Sequence, residues 1–226
     1  MKTKLFLMAF IAFAVLGCNP DTPNSPQEGT HKGHTYVDLG LSVKWATYNV
    51  GATKPEEAGD YFAFGETETK EHYDKYTHKW YDSSSNQLTK YCTSSEYGIV
   101  DNKTTLEPDD DAATVNWGGK WRIPTKQDWD ELLMNSVTYW CSYNGVYGYK
   151  ITSVQNGNSI FLPAAGEIKA DEMSFKNEYG FYRTSTLDTE EDPGGLCAYY
   201  FIFNSKEHLW SGDSRPWGIP IRAVCP

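Results

Sequence analysis

The clearest helix start in the sequence lies within residues 116–135, and it limits the possible folds more than any other segment. Gly118 and Gly119, just after Trp117, favour a turn, and Pro124 cannot lie inside a helix. Thr125 can cap a helix with its hydroxyl, and Asp128 stands three residues later, as in a capping box. Apolar residues then recur at the spacing of one buried face, namely Trp129, Leu132 and Leu133. The pattern predicts one main helix over about residues 125–135, with solvent-facing Asp128, Asp130 and Glu131.

The rest of the chain is predicted to form mainly short strands. Residues 146–154 and 159–162 lie on either side of an Asn-Gly pair, which is the strongest short-range signal for a β-hairpin. Residues 198–203 are apolar throughout, which indicates a central strand buried on both faces. Pro220 favours a sheet edge or a bulge. With a long polar loop region over residues 67–102, we predict an α+β fold of many short, mostly antiparallel strands and one main helix.

Two motifs overlap at the helix start. Residues 121–133, with Gly118-Gly119 before them, resemble the signature of the Fibrobacter succinogenes major paralogous domain family, in its lipoprotein form. Within them, Arg-Ile-Pro-Thr-x-x-x-Trp-Asp is similar to a segment of the formylglycine-generating enzymes, whose fold is related to that of C-type lectins. Family-like blocks also occur, in order, at residues 37–52, 59–66, 91–113, 157–166 and 198–224. The resemblance implies a C-type-lectin-like, or formylglycine-generating-enzyme-like, fold with long loops.

Residues 1–17 have the features of an export signal. Lys2 and Lys4 form a basic start, and the apolar run at residues 5–16 is shorter than the ~20 residues of a membrane-spanning helix. Val15-Leu16-Gly17-Cys18 has the form of a lipoprotein cleavage box. We therefore predict that Cys18 is the lipidated first residue of the mature protein, which the lipid anchors to a membrane. The alternative is an ordinary signal peptide that happens to contain a cysteine.

Residues 18–33 are predicted to be a flexible tether, since they are rich in Pro, Asn, Thr, Ser and Gly and show no periodicity. Residues 34–226 then form a single domain, which is long enough to bury a core. The lipoprotein box indicates the bacterial cell envelope, with the protein anchored to the outer membrane and facing either the periplasm or the outside. The sequence does not distinguish these two faces, and it does not indicate the oligomeric state.

The charge of the chain argues against some partners. The net charge is −10, and removing Lys2 and Lys4 leaves 18 basic against 30 acidic residues, a net charge of −12. Such a surface repels nucleic acid and anionic lipid. We therefore expect no nucleic-acid partner, and contact with the membrane through the lipid anchor only. Aromatic residues make up 15% of the chain, which suits both a strand-rich domain and a sugar-binding surface.

Four cysteines remain apart from Cys18, and an oxidising compartment permits disulfides between them. Four cysteines allow three pairings, which the sequence does not distinguish. The positions of Cys197 and Cys225 in the last two strand candidates favour the pair Cys197–Cys225, with Cys92–Cys141 as the second pair. The alternative is four free thiols. The spacing contains neither Cys-x-x-Cys nor His-x-x-x-His, so we predict no metal site and no cofactor.

The sequence contains no coherent catalytic set, and we expect no enzymatic activity. The five histidines are scattered, and no Ser/His/Asp arrangement follows from their spacing. The resemblance raises a formylglycine-generating-like oxidase as an alternative, but such an enzyme needs reactive cysteines. Cys197 and Cys225 lie instead in apolar, strand-like segments typical of inert thiols. The acid triplet at residues 109–111 is predicted to cap a helix rather than to bind calcium, because it lacks the calcium-loop pattern.

Ligand binding is the function that the sequence favours. Lectin-like folds, which the resemblance implies, present ligands on long loops between late strands, and here these loops contain aromatic residues that can stack on sugar rings. The candidate binding residues are Trp210 as the most exposed, Asp213 and Arg215 near it, and Trp140, Tyr143 and Tyr182. Four other tryptophans are assigned to the core, namely Trp45, Trp117, Trp121 and Trp129.

We thus predict an exported bacterial lipoprotein with a non-catalytic domain that binds a glycan, in recognition or in adhesion. A surface protein is the alternative ligand. In that case the chain is a structural or protein–protein interaction subunit of the cell envelope. A glycan array separates these two classes of function.

Overall fold

The computed structural model describes residues 28–192 and 194–226, so residues 1–27, with the export signal and Cys18, lie outside the described part. Within that part there are two α-helices, α1 (Ala112–Trp117) and α2 (Lys126–Met134), and a short 3-10 helix at Pro108–Asp110. No helix among the described residues combines the length and the apolar composition needed to cross a membrane.

Sixteen strands accompany these helices in the described residues. They are β1 (Glu28–His31), β2 (His34–Val37), β3 (Lys44–Ala46), β4 (Tyr61–Phe62), β5 (Tyr81–Asp82), β6 (Gln87–Leu88), β7 (Ser136–Tyr143), β8 (Val146–Ser153), β9 (Ser159–Pro163), β10 (Glu167–Lys169), β11 (Glu172–Ser174), β12 (Gly180–Leu187), β13 (Cys197–Phe203), β14 (His208–Ser214), β15 (Ile219–Pro220) and β16 (Val224–Cys225).

The strands pair into small antiparallel sheets. One sheet has the order β1-β2-β3-β16, and two three-stranded sheets have the orders β7-β8-β9 and β12-β13-β14. Three ribbons pair β4 with β15, β5 with β6, and β10 with β11. The pairing of β8 with β9 confirms the Asn-Gly hairpin, and β13 has the central position predicted for residues 198–203. A mainly antiparallel fold with few helices confirms the α+β prediction at this level.

Helix α2 begins as the sequence predicts. The Thr125 hydroxyl accepts the Asp128 N–H at 3.1 Å, and the Thr125 N–H donates to the Asp128 carboxylate at 2.7 Å, which completes a capping box. The prediction that Asp128 faces solvent is wrong. Two Arg122 nitrogens donate to its carboxylate at 2.6 and 3.0 Å, and Asp128 is buried. The carboxylate thus fixes the helix start to the extended segment before it.

The buried face of α2 packs at the centre of the core. Trp129 is fully buried, with its ring centroid 4.6 Å from that of Trp45 on β3 and 5.2 Å from that of Phe201 on β13. The helix therefore joins the sheet containing β3 to the sheet containing β13. All four tryptophans assigned to the core are buried, as predicted: Trp45, Trp117, Trp121 and Trp129.

Strand β1 corrects the predicted boundary between tether and domain. It pairs with β2 along its length, within residues predicted to be flexible. The His31 carbonyl accepts the Trp121 Nε1–H at 2.9 Å, and His31 Nε2 accepts the Lys120 N–H at 3.0 Å. Composition alone suggests a linker because the contacts with Lys120 and Trp121 come from residues about 90 positions away. Residues 28–33 therefore belong to the domain.

The acid triplet serves the protein's own structure. Asp111 caps α1 by accepting the Thr114 N–H at 2.9 Å, and it also accepts the Ile123 N–H at 2.8 Å. Its neighbour Asp110 is buried and binds two lysines and a tyrosine hydroxyl, those of Lys79, Lys90 and Tyr91. The capping prediction is confirmed for Asp111. Among the described residues, no three His, Cys, Asp or Glu side chains are grouped so as to hold a metal ion.

Neither predicted disulfide is formed, because Cys92 and Cys225, one member of each predicted pair, are free thiols. Cys197 begins β13 and Cys225 lies in β16, and these strands belong to different sheets. Cys92 is buried, and its thiol donates to the Ser94 carbonyl at 3.1 Å. Cys141, its predicted partner, is buried on β7. Succession along the chain was a poor guide to pairing because neighbouring strand candidates join separate sheets.

Candidate ligand-binding groove

The β7–β8 hairpin places three aromatic residues on one face of a sheet. In the register of the two strands Trp140 lies opposite Tyr149, and Tyr147 is two residues from Tyr149 and therefore on the same face. The hairpin turns at Asn144 and Gly145, which have φ values of 49° and 83°. Such left-handed conformations are what a two-residue hairpin turn requires. Strand alternation and a tight turn thus bring together side chains from two strands.

Trp140 and Tyr147 form an aromatic platform. Their ring planes are parallel within 4°, and their centroids lie 6.0 Å apart. Both side chains are half-buried, so each keeps part of its surface exposed. Behind the platform, the Tyr149 ring stacks on that of Phe203 at 4.3 Å, and Phe203 meets Trp140 edge-on at 6.3 Å. The platform is therefore backed by packed rings that hold it in place.

The turn between β13 and β14 borders the platform. Asn204 Oδ1 accepts the N–H groups of Lys206 at 2.7 Å and Glu207 at 3.1 Å. The Asn204 N–H also donates to the Glu207 carbonyl at 2.9 Å. An asparagine that bonds the backbone two residues ahead fixes a turn. The Lys206 and Glu207 side chains are exposed on this turn and lie at the edge of the space above the rings.

Two adjoining hollows share Trp140, Ser205 and Lys206, and together we call them the Trp140 groove. The first, of about 330 Å³, is also lined by Tyr147, Asn177, Glu178, Tyr179 and Asn204. The second, of about 640 Å³, is also lined by Thr138, Tyr139, Tyr149, Glu207 and His208. Sites for small ligands commonly span ~300–1,000 Å³. The groove is thus large enough for a short oligosaccharide.

The polar groups of the groove suit hydrogen bonding to hydroxyls. Four exposed polar residues line the groove, namely Asn177, Glu178, Lys206 and Glu207. Burial, with the nearby charge of Glu207, raises the pKa of the Tyr149 hydroxyl, which therefore stays protonated at neutral pH. The groove thus combines ring faces with amide, ammonium and carboxylate groups. These are the elements of non-covalent recognition of a ligand with apolar faces and many hydroxyls.

Trp210 is not the exposed residue that the sequence suggests. Its Nε1–H donates to Asp130 on α2 at 2.9 Å, and the Lys126 ammonium lies 4.8 Å from the ring centroid. Trp210 also lies opposite Phe201 in the β13–β14 register, and its ring packs against the core. Polar residues follow Trp210 along β14, but side chains on a strand alternate between the two faces, so these neighbours do not predict its exposure.

The other predicted binding residues are dispersed. Tyr182 is fully buried, and its hydroxyl donates to the Pro163 carbonyl at 3.0 Å. Arg215 is 1% exposed and donates to interior backbone carbonyls. Tyr143 is half-buried beside Phe161, at 5.3 Å between ring centroids, and Asp213 lies opposite Ala198 on β14, with its side chain outside the described part. Among the six predicted residues, Trp140 is the one that lines the groove.

Sequence reasoning missed the residues that border the platform from other elements, Asn177–Tyr179 and Asn204–His208. One signal was available for the second segment. The polar run at residues 204–207, between the apolar run of β13 and the aromatic residue of β14, predicts a turn. Its position beside Trp140 depends on the packing of Tyr149 on Phe203, which no local pattern specifies.

Comparisons of the chain with models of protein families, with curated proteins and with solved structures found no match.

Proposed function

We propose that the chain is an exported bacterial lipoprotein whose domain binds carbohydrate, without catalysis, in the Trp140 groove. The observation that carries this proposal is the aromatic platform, in which two parallel and partly exposed rings lie beside exposed polar side chains. A sugar ring offers C–H groups to an aromatic face and hydroxyls to the polar groups around it. The platform and its border supply both kinds of partner.

The lipoprotein part of the proposal rests on the box Val15-Leu16-Gly17-Cys18 after a short apolar run. In this proposal the domain lies at the cell envelope and is anchored to the outer membrane through lipid on Cys18. The resemblance of residues 121–133 to the major paralogous domain family supports a C-type-lectin-like arrangement. The small antiparallel sheets described above are compatible with that arrangement.

The thiols support binding over the oxidase alternative. Cys225 is buried, and this burial raises the pKa of its thiol, which favours the unreactive protonated form. Cys197 lies in a different sheet from Cys225. An oxidase of the formylglycine-generating kind needs reactive cysteines that act together. A buried, protonated Cys225 in a different sheet from Cys197 does not meet this requirement.

A glycan array of the full chain, followed by calorimetry with the best ligand, tests the proposal. We expect Tyr147→Ala and Trp140→Ala each to weaken binding by about tenfold or more, because aromatic anchors at binding surfaces contribute ~1–2 kcal/mol or more. The matched control is Tyr76→Ala, which removes an aromatic ring that is 63% exposed and lies outside the groove. This control should leave the affinity unchanged.

Thermal unfolding of each variant separates loss of binding from loss of fold, which matters most for Trp140 because it also packs against the core. A blank array contradicts the proposal, as does a Tyr147→Ala variant that binds as tightly as Tyr76→Ala. A blank array together with a specific envelope protein recovered by the chain supports the alternative, a protein–protein interaction subunit.

A further inference from the structure

A second cavity, of about 470 Å³, lies between the loop region after β4 and the segment that follows β14. Part of its wall is apolar, through Leu88, Leu196 and Pro216. Its ionisable groups include Lys75, His78, Glu96 and Arg215, and we call it the Arg215 cavity. None of its lining residues lines the Trp140 groove. The two sites can therefore be tested independently.

Two of the hydrogen-bond donors of Arg215 remain unused. A guanidinium carries five N–H donors. Nη1 donates to the carbonyls of Tyr91 at 3.2 Å and Gly195 at 3.0 Å, and Nη2 donates to the Lys90 carbonyl at 3.1 Å. Nε has no partner among the described residues, and one Nη2 hydrogen is left. Nε and Nη2 form the edge with which arginine binds a carboxylate through two parallel hydrogen bonds.

The charge of Arg215 lacks an ion-pair partner. Among the described side chains, no carboxylate lies within 4.0 Å of its guanidinium. The charge of Asp101 acts on Arg215 from farther away, and the Asp101 carboxylate itself accepts the N–H groups of Tyr91 and Cys92. Burial lowers the pKa of Arg215 to about 10, so the guanidinium is still charged at neutral pH. A buried and unpaired cation is unfavourable, and an anion in the cavity offsets this cost.

His78 adds a hydrogen-bond acceptor to the same cavity. Its Nε2 lies 2.9 Å from the Phe64 carbonyl, which places the ring proton on Nε2. Burial, and then the positive charge of Arg215, hold the pKa of His78 well below its usual value, so the ring is neutral. Nδ1 is therefore an acceptor, and it has no partner among the described residues. A hydroxyl group is the complementary donor.

We propose that the Arg215 cavity binds a hydroxylated carboxylate of the size of a sugar acid. The ligand carboxylate pairs with the Nε–Nη2 edge of Arg215, and a ligand hydroxyl donates to His78 Nδ1. Lys75 is exposed at the rim and adds a second cation, whereas the exposed Glu96 opposes the ligand charge. Arg215 Nε and His78 Nδ1 are buried atoms of residues that line the cavity, so binding requires the lining side chains to shift.

Calorimetric titration of the full chain with three ligands tests this proposal. Glucuronate carries both groups, glucose lacks the carboxylate, and cyclohexanecarboxylate lacks the hydroxyls. We expect glucuronate to bind at least ~10-fold more tightly than either of the others, because it alone satisfies both Arg215 and His78. Glucuronate that binds no more tightly than glucose or cyclohexanecarboxylate overturns the proposal.

Variants at the rim provide a second measurement that does not disturb the core. Lys75→Gln should weaken glucuronate binding about 2- to 5-fold, and Glu96→Gln should strengthen it by a similar factor, since exposed charges act weakly through solvent. Lys120→Gln is the control, because it removes an exposed lysine outside the cavity. If neither rim variant changes the affinity relative to this control, the assignment of the cavity is wrong.

Arg215→Lys retains the positive charge but removes the planar fork, so we expect a loss of at least ~10-fold in glucuronate affinity. Thermal unfolding shows whether this variant folds, and if it does not, the rim variants decide. Trp140→Ala should leave glucuronate binding unchanged, which separates this site from the groove. A folded Trp140→Ala or Tyr147→Ala variant that loses glucuronate binding places the ligand in the groove and overturns the proposal.

Discussion

Asp128 joins three groups through one carboxylate. Its oxygens accept hydrogen bonds from the Arg122 guanidinium and from the N–H and hydroxyl of Thr125. Burial on its own raises the pKa of Asp128, but these hydrogen bonds outweigh burial and hold the pKa below its usual value. A pKa that is lower in the folded state stabilises the protein above the unfolded pKa of about 4. This contribution is lost as the pH falls through the folded-state pKa.

Asp128→Ala should therefore lower the free energy of unfolding by about 2–4 kcal/mol at pH 7, because Arg122 loses its partner and α2 loses its capping box. The difference from the wild type should shrink as the pH falls below about 4. Urea unfolding at a series of pH values measures both effects. Gln127→Ala, an exposed change on the same helix, should stay within about 0.5 kcal/mol of the wild type. A pH-independent loss at Asp128 contradicts this account.

At the scale of elements, β1 is predicted to stabilise the domain. A chain that begins at His34 lacks β1, removes the acceptors of Trp121 Nε1–H and Lys120 N–H, and exposes an edge of β2. We expect it to be less stable by about 1–3 kcal/mol than a chain that begins at Cys18, since an unsatisfied buried donor such as Trp121 Nε1–H costs roughly this much. Denaturant unfolding compares the two chains, and equal midpoints would show that residues 28–33 act as a tether.

Elements defined by local chemistry could be predicted from the sequence. The start of α2 was predictable because Thr125, Asp128 and Trp129 are close in sequence, and the β8–β9 hairpin because its turn carries Asn-Gly. The burial of Trp210 was not predictable in this way. It depends on Asp130, 80 residues away, and on the face of β14 that meets α2. The groove likewise depends on contacts between separate sheets.

At the scale of the whole molecule, the proposed lipid anchor decides where the protein is found. Cys18→Ser should leave an unlipidated chain that no longer sediments with membranes, because the proposed attachment is the lipid on Cys18. Fractionation of cells that produce the wild type and the variant measures this. Ser25→Ala, which lies outside the cleavage box and keeps the cysteine, is the control and should remain with the membranes. A Cys18→Ser chain that stays in the membrane fraction contradicts lipidation.

The pairing of β3 with β16 has a consequence for when the chain can fold. Trp45 on β3 lies opposite Val224, and Arg222 donates to the carbonyls of Ala46 and Thr47, 175 or more positions earlier. The sheet that holds β3 therefore stays incomplete until residues 222–225 have left the ribosome. Contacts so distant in sequence form late and slowly. In a chain exported as proposed, this delay keeps the polypeptide open during translocation, and the core closes on the far side of the membrane.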